Sequence, residues 1–316
     1  MTDAAPDRPV IRLKPKANAR AIRRGAPWVF DNELVMDRRS KGIAPGTVAT
    51  LEDHERQPLA TVAVNPASKI TGRVLDRDPA AQIDAAWLRA RLARALALRA
   101  RLYAAPFYRL VHAEGDGLPG VVIDRFGDRS VIQPNAAWAE ARLDDLVEAL
   151  VAVTGVTTVL KNAGGRGRAL EGLDDADAVL AGQGPDSLVP VTMNGAVYHA
   201  DLTGGQKTGL FYDQRENHAF AAPLAGGARV LDVFSHVGGF ALAALAGGAE
   251  RALAVDGSAP ALALAEAGAR DSGFADRLET RQGDAFAVME ALAGEGARFD
   301  LVICDPPAFE IGRAHV

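Results

Sequence analysis

Residues 229–240 read RVLDVFSHVGGF, and this stretch decides the fold of the carboxy-terminal part of the chain. An apolar strand carries Asp232 near its end, the chain turns on Gly238 and Gly239, and an apolar helix begins. Glycine is favoured where backbone must pass close to a ligand. The spacing is not Gly-x-Gly-x-x-Gly, and an acid stands where a pyrophosphate would lie. The pattern therefore favours a cation without phosphate, such as S-adenosylmethionine (SAM), although a plain strand–helix turn uses the same residues.

Strands and helices alternate strictly from this motif to the end of the chain. We predict strands at 229–233, 252–256, 278–282 and 299–305, with helices at 239–246, 258–272 and 284–293. This alternation predicts a parallel sheet with helices on both faces. In such a sheet, ligands bind beyond the carboxyl ends of the strands.

Acidic residues follow three successive strands of this predicted sheet. Asp232 would orient nearby backbone or meet the positive end of a ligand. Asp256, 24 residues later, stands where an acid typically binds ribose hydroxyls. Asp284 can accept from an adenine amino group, with Phe286 packed near the ring. Singly, the later acids are equally typical of helix caps, with Phe286 in the core, but together the three indicate a nucleoside site.

The fourth strand ends in Asp305-Pro306-Pro307-Ala308-Phe309. Paired prolines lock φ and keep the residue before each of them out of the α region. The result is a stiff extended loop that can present carbonyls and an aromatic face to a flipped base. A proline-rich strand exit without function is the alternative.

Two earlier blocks differ from this pattern. Residues 1–75 contain short β-like runs at 47–51 and 59–64, separated by proline and glycine, which predict a small β-rich domain. Residues 76–195 predict a mixed α+β unit. Its expected elements are helices at 84–102 and 139–153 and strands at 108–113, 120–124 and 157–161.

The charge is unevenly distributed. The chain has a net charge of -5, yet residues 1–41 contain ten Lys or Arg against five acids. Arg20, Arg23 and Arg24 on this basic edge suit phosphate contacts, and a solvated charged face is the alternative. No apolar run approaches the roughly 20 residues that span a bilayer, and the start lacks a secretory-signal layout. Cys304 is the only cysteine, which excludes an intramolecular disulfide framework and favours a cytoplasmic location.

With these motifs placed, the chain resembles the RlmI-type large-subunit ribosomal RNA cytosine-5 methyltransferases of the class I SAM-dependent superfamily, over nearly its whole length to Phe309. The marks of the resemblance are Pro27-Trp28-Val29-Phe30, Asn65-Pro66-Ala67-Ser68, EGDGLPG at 114–120 and, most specific, GQKTGLFYDQR at 205–215. The resemblance implies a PUA-like RNA-binding β-barrel over 1–75 and a small α+β domain over 76–195. A Rossmann-like methyltransferase domain, incomplete after its fourth strand, would occupy 196–309.

The resemblance, together with the strand-end motifs, also assigns roles to residues. SAM is expected to bind Phe211, Asp213, Gln214, Arg215, Asp232, Phe234, Ser235, Gly238, Gly239, Asp256, Ser258, Asp284, Ala285, Phe286 and Asp305. Base positioning is expected from Asp305, Pro306, Pro307 and Phe309. Ribosomal RNA is expected to contact Arg20, Arg23, Arg24 and Lys207. Structural salt bridges are an equal alternative for Lys207 and Arg215. His236 departs from the family's usual Tyr, and no metal is expected.

The mechanism that the resemblance implies is covalent. A cysteine thiolate adds to cytosine carbon-6, carbon-5 attacks the SAM methyl, a base removes the carbon-5 proton and the enzyme is eliminated. Cys304 lies in an apolar strand and is expected to be a buried small hydrophobe, so the nucleophile is expected in a later segment that is missing here. Residues 310–316 (EIGRAHV) are expected to derive from a sequencing adapter. The truncated chain is then expected to be inactive or insoluble, and the parent protein to form a homodimer.

Three other functions compete with this interpretation. A guanine-N2 RNA methyltransferase would also carry Asp-Pro-Pro-x-Phe and would need no cysteine. A non-catalytic RNA-binding protein would keep the front domain and a vestigial SAM fold. An NAD-dependent oxidoreductase is disfavoured by the glycine spacing.

Overall fold

The computed structural model describes residues 8–184, 188–203 and 209–307, except for the side chain of Arg166. The chain divides into two compact units, Met1–Gly184 and Pro185–Val316. Each unit has its own sheets and its own apolar core. In the described part of the chain, no helix is both long and apolar enough to cross a membrane.

The first unit begins with a five-stranded, mostly antiparallel sheet of order β1-β3-β4-β5-β2. Its elements are β1 (Val10–Arg12), α1 (Ala19–Arg23), β2 (Trp28–Val29), α2 (Arg38–Lys41), β3 (Thr47–Glu52), β4 (Pro58–Val64) and β5 (Gly72–Asp76). Alternate residues of the strands point inward, and Ile11, Val29, Leu51 and Val62 form part of the buried core. The β-rich prediction for this block is confirmed.

The rest of the first unit is a second five-stranded sheet, of order β10-β9-β8-β7-β6, with helices packed against it. Its elements are α3 (Ala85–Leu102), β6 (Phe107–His112), β7 (Val121–Phe126), β8 (Arg129–Pro134), α4 (Ala137–Glu140), α5 (Leu143–Thr154), β9 (Thr158–Lys161), α6 (Arg166–Glu171) and β10 (Ala178–Ala181). The mixed α+β prediction is confirmed, although β8 and β10 had no clear sequence signal.

One helix in this region was predicted wrongly. Instead of a single helix over 139–153, the structure has α4 and α5, with Arg142 outside the helical region between them. The indole N–H of the buried Trp138 donates to the carbonyl of Pro119 at 2.8 Å. This long-range contact holds the short helix α4 in place, and no local periodicity could reveal it.

A buried ionic network joins the two sheets of the first unit. Glu171, at the end of α6, is 4% exposed and accepts from the side-chain amide of Asn65 and from the backbone N–H of Ala137. The guanidinium of Arg73 on β5 donates to Glu171 at 3.0 Å and to Glu114 at 3.2 Å. A buried carboxylate is stable only when its lone pairs are satisfied in this way, so the two sheets are tied through Glu171.

The second unit contains a parallel sheet of order β15-β14-β13-β16. Its elements are β11 (Val189–Met193), β12 (Ala196–Ala200), α7 (Arg215–Ala221), β13 (Arg229–Val233), α8 (Gly239–Ala246), β14 (Arg251–Asp256), α9 (Ala259–Asp271), β15 (Leu278–Gln282), α10 (Ala285–Gly294) and β16 (Leu301–Cys304). The predicted alternation and parallel sheet are confirmed, and most predicted bounds agree within one residue.

The hairpin β11–β12 was not expected and packs on α8 and α9. A Cβ on Gly268 of α9 would lie 2.6 Å from the carbonyl oxygen of Val197, so helix and hairpin backbones are in direct contact there. The expected boundary between residues 195 and 196 falls in the turn of this hairpin. The compact units instead divide between Gly184 and Pro185, which keeps both hairpin strands with the parallel sheet.

We expect Glu171→Ala to lower the free energy of unfolding of the first unit by about 3–5 kcal/mol, because it removes the buried carboxylate that accepts from Arg73, Asn65 and the backbone of Ala137. All three tryptophans lie in this unit, so urea unfolding followed by tryptophan fluorescence reports on it alone.

Glu52→Ala is the matched control, because Glu52 forms the more exposed ion pair with Arg12. It should cost no more than about 1 kcal/mol. Equal losses in the two variants would contradict the importance assigned to the Glu171 network.

Candidate functional site

The loop between β13 and α8 has an unusual backbone. Phe234, His236 and Gly238 have φ angles of 64°, 50° and 77°. A positive φ at a non-glycine residue costs on the order of 1–3 kcal/mol and persists only when its surroundings hold it. A Cβ on Gly238 would lie 2.9 Å from the Cβ of Ala265, so glycine is also required there by the close packing of α9.

Asp232 holds the start of α8. It is 1% exposed, and its carboxylate accepts a hydrogen bond from the backbone N–H of Ala241 at 2.9 Å. The first N–H groups of a helix have no partner within the helix, and here the buried acid satisfies them. Asp232 therefore orients the backbone, which is the first of its two predicted roles.

Three carboxylates meet at the carboxyl end of the sheet. Burial, together with the negative charges of Asp256 and Asp305, raises the pKa of Asp232 to about 7, against hydrogen bonds from Ala241 and Phe240 that lower it. These acids follow or end the neighbouring strands β14, β13 and β16. Their mutual repulsion would be relieved by a cation bound nearby.

Asp256 ties the loop to the next helix. One carboxylate oxygen accepts from the N–H of His236 at 2.8 Å, and the other accepts from the N–H of Ser258 at 2.8 Å. The Ser258 hydroxyl in turn caps α9 by accepting from the N–H of Ala261. Asp256 and Ser258, both predicted site residues, therefore adjoin the glycine-rich loop.

Asp284 is the N-cap of α10, because its carboxylate accepts from the N–H groups of Phe286 and Ala287. Ala285 is buried beside it. Phe286 is 45% exposed, and its ring meets the ring of Phe234 edge-on at 6.2 Å. The alternative that placed Phe286 in the core is therefore wrong, and its exposed ring adjoins the loop.

The 205–215 segment reaches the loop from another direction. Its first part, including Lys207, lies outside the described residues. The Phe211 ring contacts the His236 ring edge-on, with 4.9 Å between centroids. Asp213 is exposed, Gln214 accepts from the side chain of Asn217, and the Arg215 carbonyl accepts from the side chain of Asn194.

Two buried residues beneath the loop were missed by the sequence analysis. The hydroxyl of Tyr198 on β12 donates to the carbonyl of Gly239 at 3.3 Å, and burial raises its pKa. His218 on α7 packs edge-on against Phe240, and a Cβ on Gly239 would lie 2.6 Å from its ring. Burial lowers the pKa of His218 to about 4, so it is neutral at pH 7. Neither residue lies in a sequence motif. The one signal for a buried Tyr198 is the alternation along β12, in which every second residue is buried.

Ser235 supplies a further polar group at the loop. It is 5% exposed, and its hydroxyl has no hydrogen-bond partner among the residues that the structure describes. A buried hydroxyl without a partner costs free energy, so a ligand that offered one would be stabilised. Together with the clustered acids, this geometry fits a polar cation better than a phosphate.

Cys304, at the end of β16, was expected to be a buried small hydrophobe, and the structure differs. Cys304 is exposed rather than buried, because its strand is an edge of the described sheet and pairs only with β13 there. Partial burial and the charges of Asp305 and Asp232 raise the pKa of its thiol, which disfavours the thiolate. Asp305 and Pro307 are exposed and Pro306 is partly buried. Phe309 and residues 310–316 lie outside the described residues.

The basic residues expected to contact RNA lie at the end of α1. Arg20, Arg23 and Arg24 are all exposed. The guanidinium of Arg23 forms an ion pair with Asp53 at 2.9 Å, whose carboxylate is nearly buried. Among the residues described, Arg20 and Arg24 form no ion pair, so their charges face solvent.

Comparison with known proteins adds to this geometry. Residues 11–77 match the PUA-like domain family, and residues 142–316 match the S-adenosylmethionine-dependent methyltransferase family. The chain is 37% identical to the ribosomal RNA large subunit methyltransferase I of Photobacterium profundum, over 93% of this chain and 75% of that protein. It is 34% identical to the protein of the same name from Cronobacter sakazakii, with the same coverage.

Solved structures show the same fold. A SAM-dependent methyltransferase from Streptococcus mutans superposes with a TM-score of 0.80 at 22% identity, over 96% of this chain and 78% of that one. A methyltransferase complexed with SAH (S-adenosylhomocysteine) superposes with a TM-score of 0.81 at 21% identity, over 95% of this chain and 76% of that one.

We expect Asp232→Asn to change how the stability of the second unit depends on pH. Because the pKa of Asp232 is raised to about 7 in the folded protein, its protonated form favours folding. Its contribution is present below the unfolded pKa of about 4 and is lost as the pH rises through 7. In the variant, the stability of the second unit should no longer decrease through ionisation of residue 232 between pH 4 and pH 8, as measured by calorimetric scans.

Asp284→Asn is the control, because Asp284 is an exposed helix cap on the same unit. Its pH profile should run parallel to that of the wild type. A parallel profile for Asp232→Asn as well would contradict the raised pKa.

Proposed function

The chain belongs to the S-adenosylmethionine-dependent methyltransferase family, with the ribosomal RNA large subunit methyltransferase I enzymes among its relatives, and we propose that it transfers the methyl group of SAM to large-subunit ribosomal RNA. The observation that carries this proposal is the identity above 30% to those curated enzymes over 93% of the chain. The similarity covers the PUA-like region as well as the methyltransferase region.

The second unit offers residues that fit SAM. SAM carries its reactive methyl on a positively charged sulfur and has an ammonium group, so the acids at the ends of β13, β14 and β16 favour it electrostatically. We assign the ribose hydroxyls to Asp256 and the adenine to the exposed ring of Phe286 beside Phe234. The amino-acid end would lie at the loop of Ser235 and Gly238, with Asp213 near its ammonium group.

The exposed arginines of α1 support an RNA substrate. Arg20 and Arg24 carry charges that face solvent, and arginine binds phosphate oxygens through two parallel hydrogen bonds. In our proposal Arg20 and Arg24 contact the RNA backbone, while Arg23 is ion-paired with Asp53. A ribosomal RNA substrate also supports the cytoplasmic location.

For the target atom we propose carbon-5 of a cytosine, positioned by the loop that begins at Asp305, Pro306 and Pro307. A second candidate, nitrogen-2 of a guanine, is favoured by one observation. Burial and the neighbouring carboxylates of Asp305 and Asp232 raise the pKa of the Cys304 thiol, which disfavours this cysteine as the nucleophile that carbon-5 chemistry requires.

We expect Asp256→Ala to weaken SAM binding by roughly tenfold or more in calorimetric titration. The variant removes the charged carboxylate that accepts hydrogen bonds from the backbone N–H groups of His236 and Ser258, each worth about 1.5–3 kcal/mol. Asp276→Ala is the matched control, since Asp276 is an exposed acid on the same unit, outside the site. Wild-type protein that does not bind SAM would overturn the proposal.

Methyl transfer from labelled SAM to unmodified large-subunit ribosomal RNA tests the reaction. We expect label in 5-methylcytidine after nucleoside digestion and mass spectrometry. Label in N2-methylguanosine would support the second candidate. SAM binding without methyl transfer to RNA would favour the non-catalytic alternative. Cys304→Ser should keep the transferred label, because the thiol is not assigned as the nucleophile.

A further inference from the structure

Helix α3 of the first unit carries an unusual concentration of positive charge. Its eighteen residues, AAWLRARLARALALRARL, include five arginines and no acid. The whole chain has a net charge of -5, so this positive charge is a local feature. The helix buries Leu88, Leu92 and Ala95 against the core and turns most of its arginines outward.

Two of the five arginines are used inside the unit. Arg91 forms an ion pair with Asp76 at 2.8 Å and lies over the ring of Trp87. Arg99 donates through two nitrogens to the two carboxylate oxygens of Asp116, at 2.6 and 2.7 Å. These contacts fasten α3 to its neighbours, and they account for both partly buried arginines.

Arg89, Arg94 and Arg101 have no such contacts. All three are exposed, and none has a carboxylate within 4.0 Å among the residues that the structure describes. Because no acid of α3 offsets these charges, an external anion bound there would be stabilising. Arginine also suits phosphate, because its planar fork donates two parallel hydrogen bonds.

The exposed side chains that lie between these arginines on the helix surface are short. At 100° per residue, Arg94 and Arg101 lie about 20° apart around the helix and about 10 Å apart along it, while Arg89 lies more than 100° away. The exposed alanines Ala93 and Ala97 fall between these directions. The short methyl side chains of these alanines leave a shallow depression between the longer arginine side chains. The three arginines span about 18 Å along the helix axis.

We propose that this face of α3, formed by Arg89, Arg94 and Arg101, binds the phosphate backbone of the RNA substrate. The proposal rests on the proposed function and adds a contact surface separate from the basic end of α1. The exposed alanines and the absence of any acid within α3 suit a polyanion. Exposed Leu98 and Leu102 on the flank make an acidic protein the competing partner, which the experiment separates.

The test compares two triple variants with the same loss of charge. Arg89→Gln, Arg94→Gln and Arg101→Gln are combined in one protein. Arg251→Gln, Arg270→Gln and Arg298→Gln, three exposed arginines of the second unit, are combined in the control. Binding to protein-free large-subunit ribosomal RNA is measured between 50 and 200 mM salt, and each phosphate contact adds about 0.7–0.9 to the slope of log affinity against log salt.

We expect the α3 variant to lose about 2.1–2.7 from this slope, so that its affinity falls roughly 20- to 40-fold less than that of the wild type over the salt range. The control should keep the wild-type slope. Equal slopes for wild type and α3 variant, or equal reductions in both variants, would overturn the proposal. Loss of binding to poly-glutamate with an unchanged RNA slope would also overturn it, in favour of an acidic protein partner.

Unchanged SAM binding by the α3 variant shows that its second unit is folded. An unchanged urea unfolding transition, followed by tryptophan fluorescence, shows that its first unit is folded. The proposed function fails separately, when wild-type protein transfers no methyl group to RNA. The slope comparison needs only RNA binding, so it decides the α3 proposal in either case.

Discussion

The candidate site depends on one buried carboxylate. Asp232 lies on the central part of the parallel sheet with 1% of its surface exposed, and it accepts from the backbone at the start of α8. A buried acid is tolerated only when its oxygens are satisfied. Its backbone partners fix where α8 begins, and the loop before the helix must then adopt positive φ at Phe234 and His236. The same burial raises the pKa of Asp232, so its charge responds to whatever binds above it.

The loop is also supported from below by elements outside the parallel sheet. Tyr198 from the hairpin bonds to the Gly239 carbonyl, and the neutral ring of His218 packs against the same turn. Glycine at 239 leaves room for that ring, and glycine at 268 lets the hairpin lie directly on α9. The hairpin therefore acts as a third layer that holds the ligand-facing loop in a conformation it would not adopt alone.

The first unit uses its charges in two different ways. The buried Glu171 and the partly buried Arg73 form an ion pair that helps to tie the two sheets together. Exposed groups such as Arg20 on α1 and Arg94 on α3 have no partner acid in the described residues and face solvent. Buried charges must be paired to be stable, whereas unpaired surface arginines remain available to phosphate. In the interior of the unit, charged side chains are paired with opposite charges. On the surface, helices α1 and α3 carry unpaired positive charges.

The sequence alone determined the parallel sheet of the second unit, since the alternation of short strand segments with helical segments is a local pattern, and it also placed acids at the strand ends. It did not determine what those acids do. Asp232 orients backbone and Asp284 caps a helix because of the groups that the fold brings to them. Cys304 is exposed at a sheet edge, and the region expected as one helix over 139–153 is divided into α5 and the short α4, whose Trp138 bonds to Pro119. Tyr198 reaches Gly239 across 41 residues of sequence. Such contacts depend on how separate elements pack, and no periodicity within a single element encodes that, so only the tertiary structure decided them.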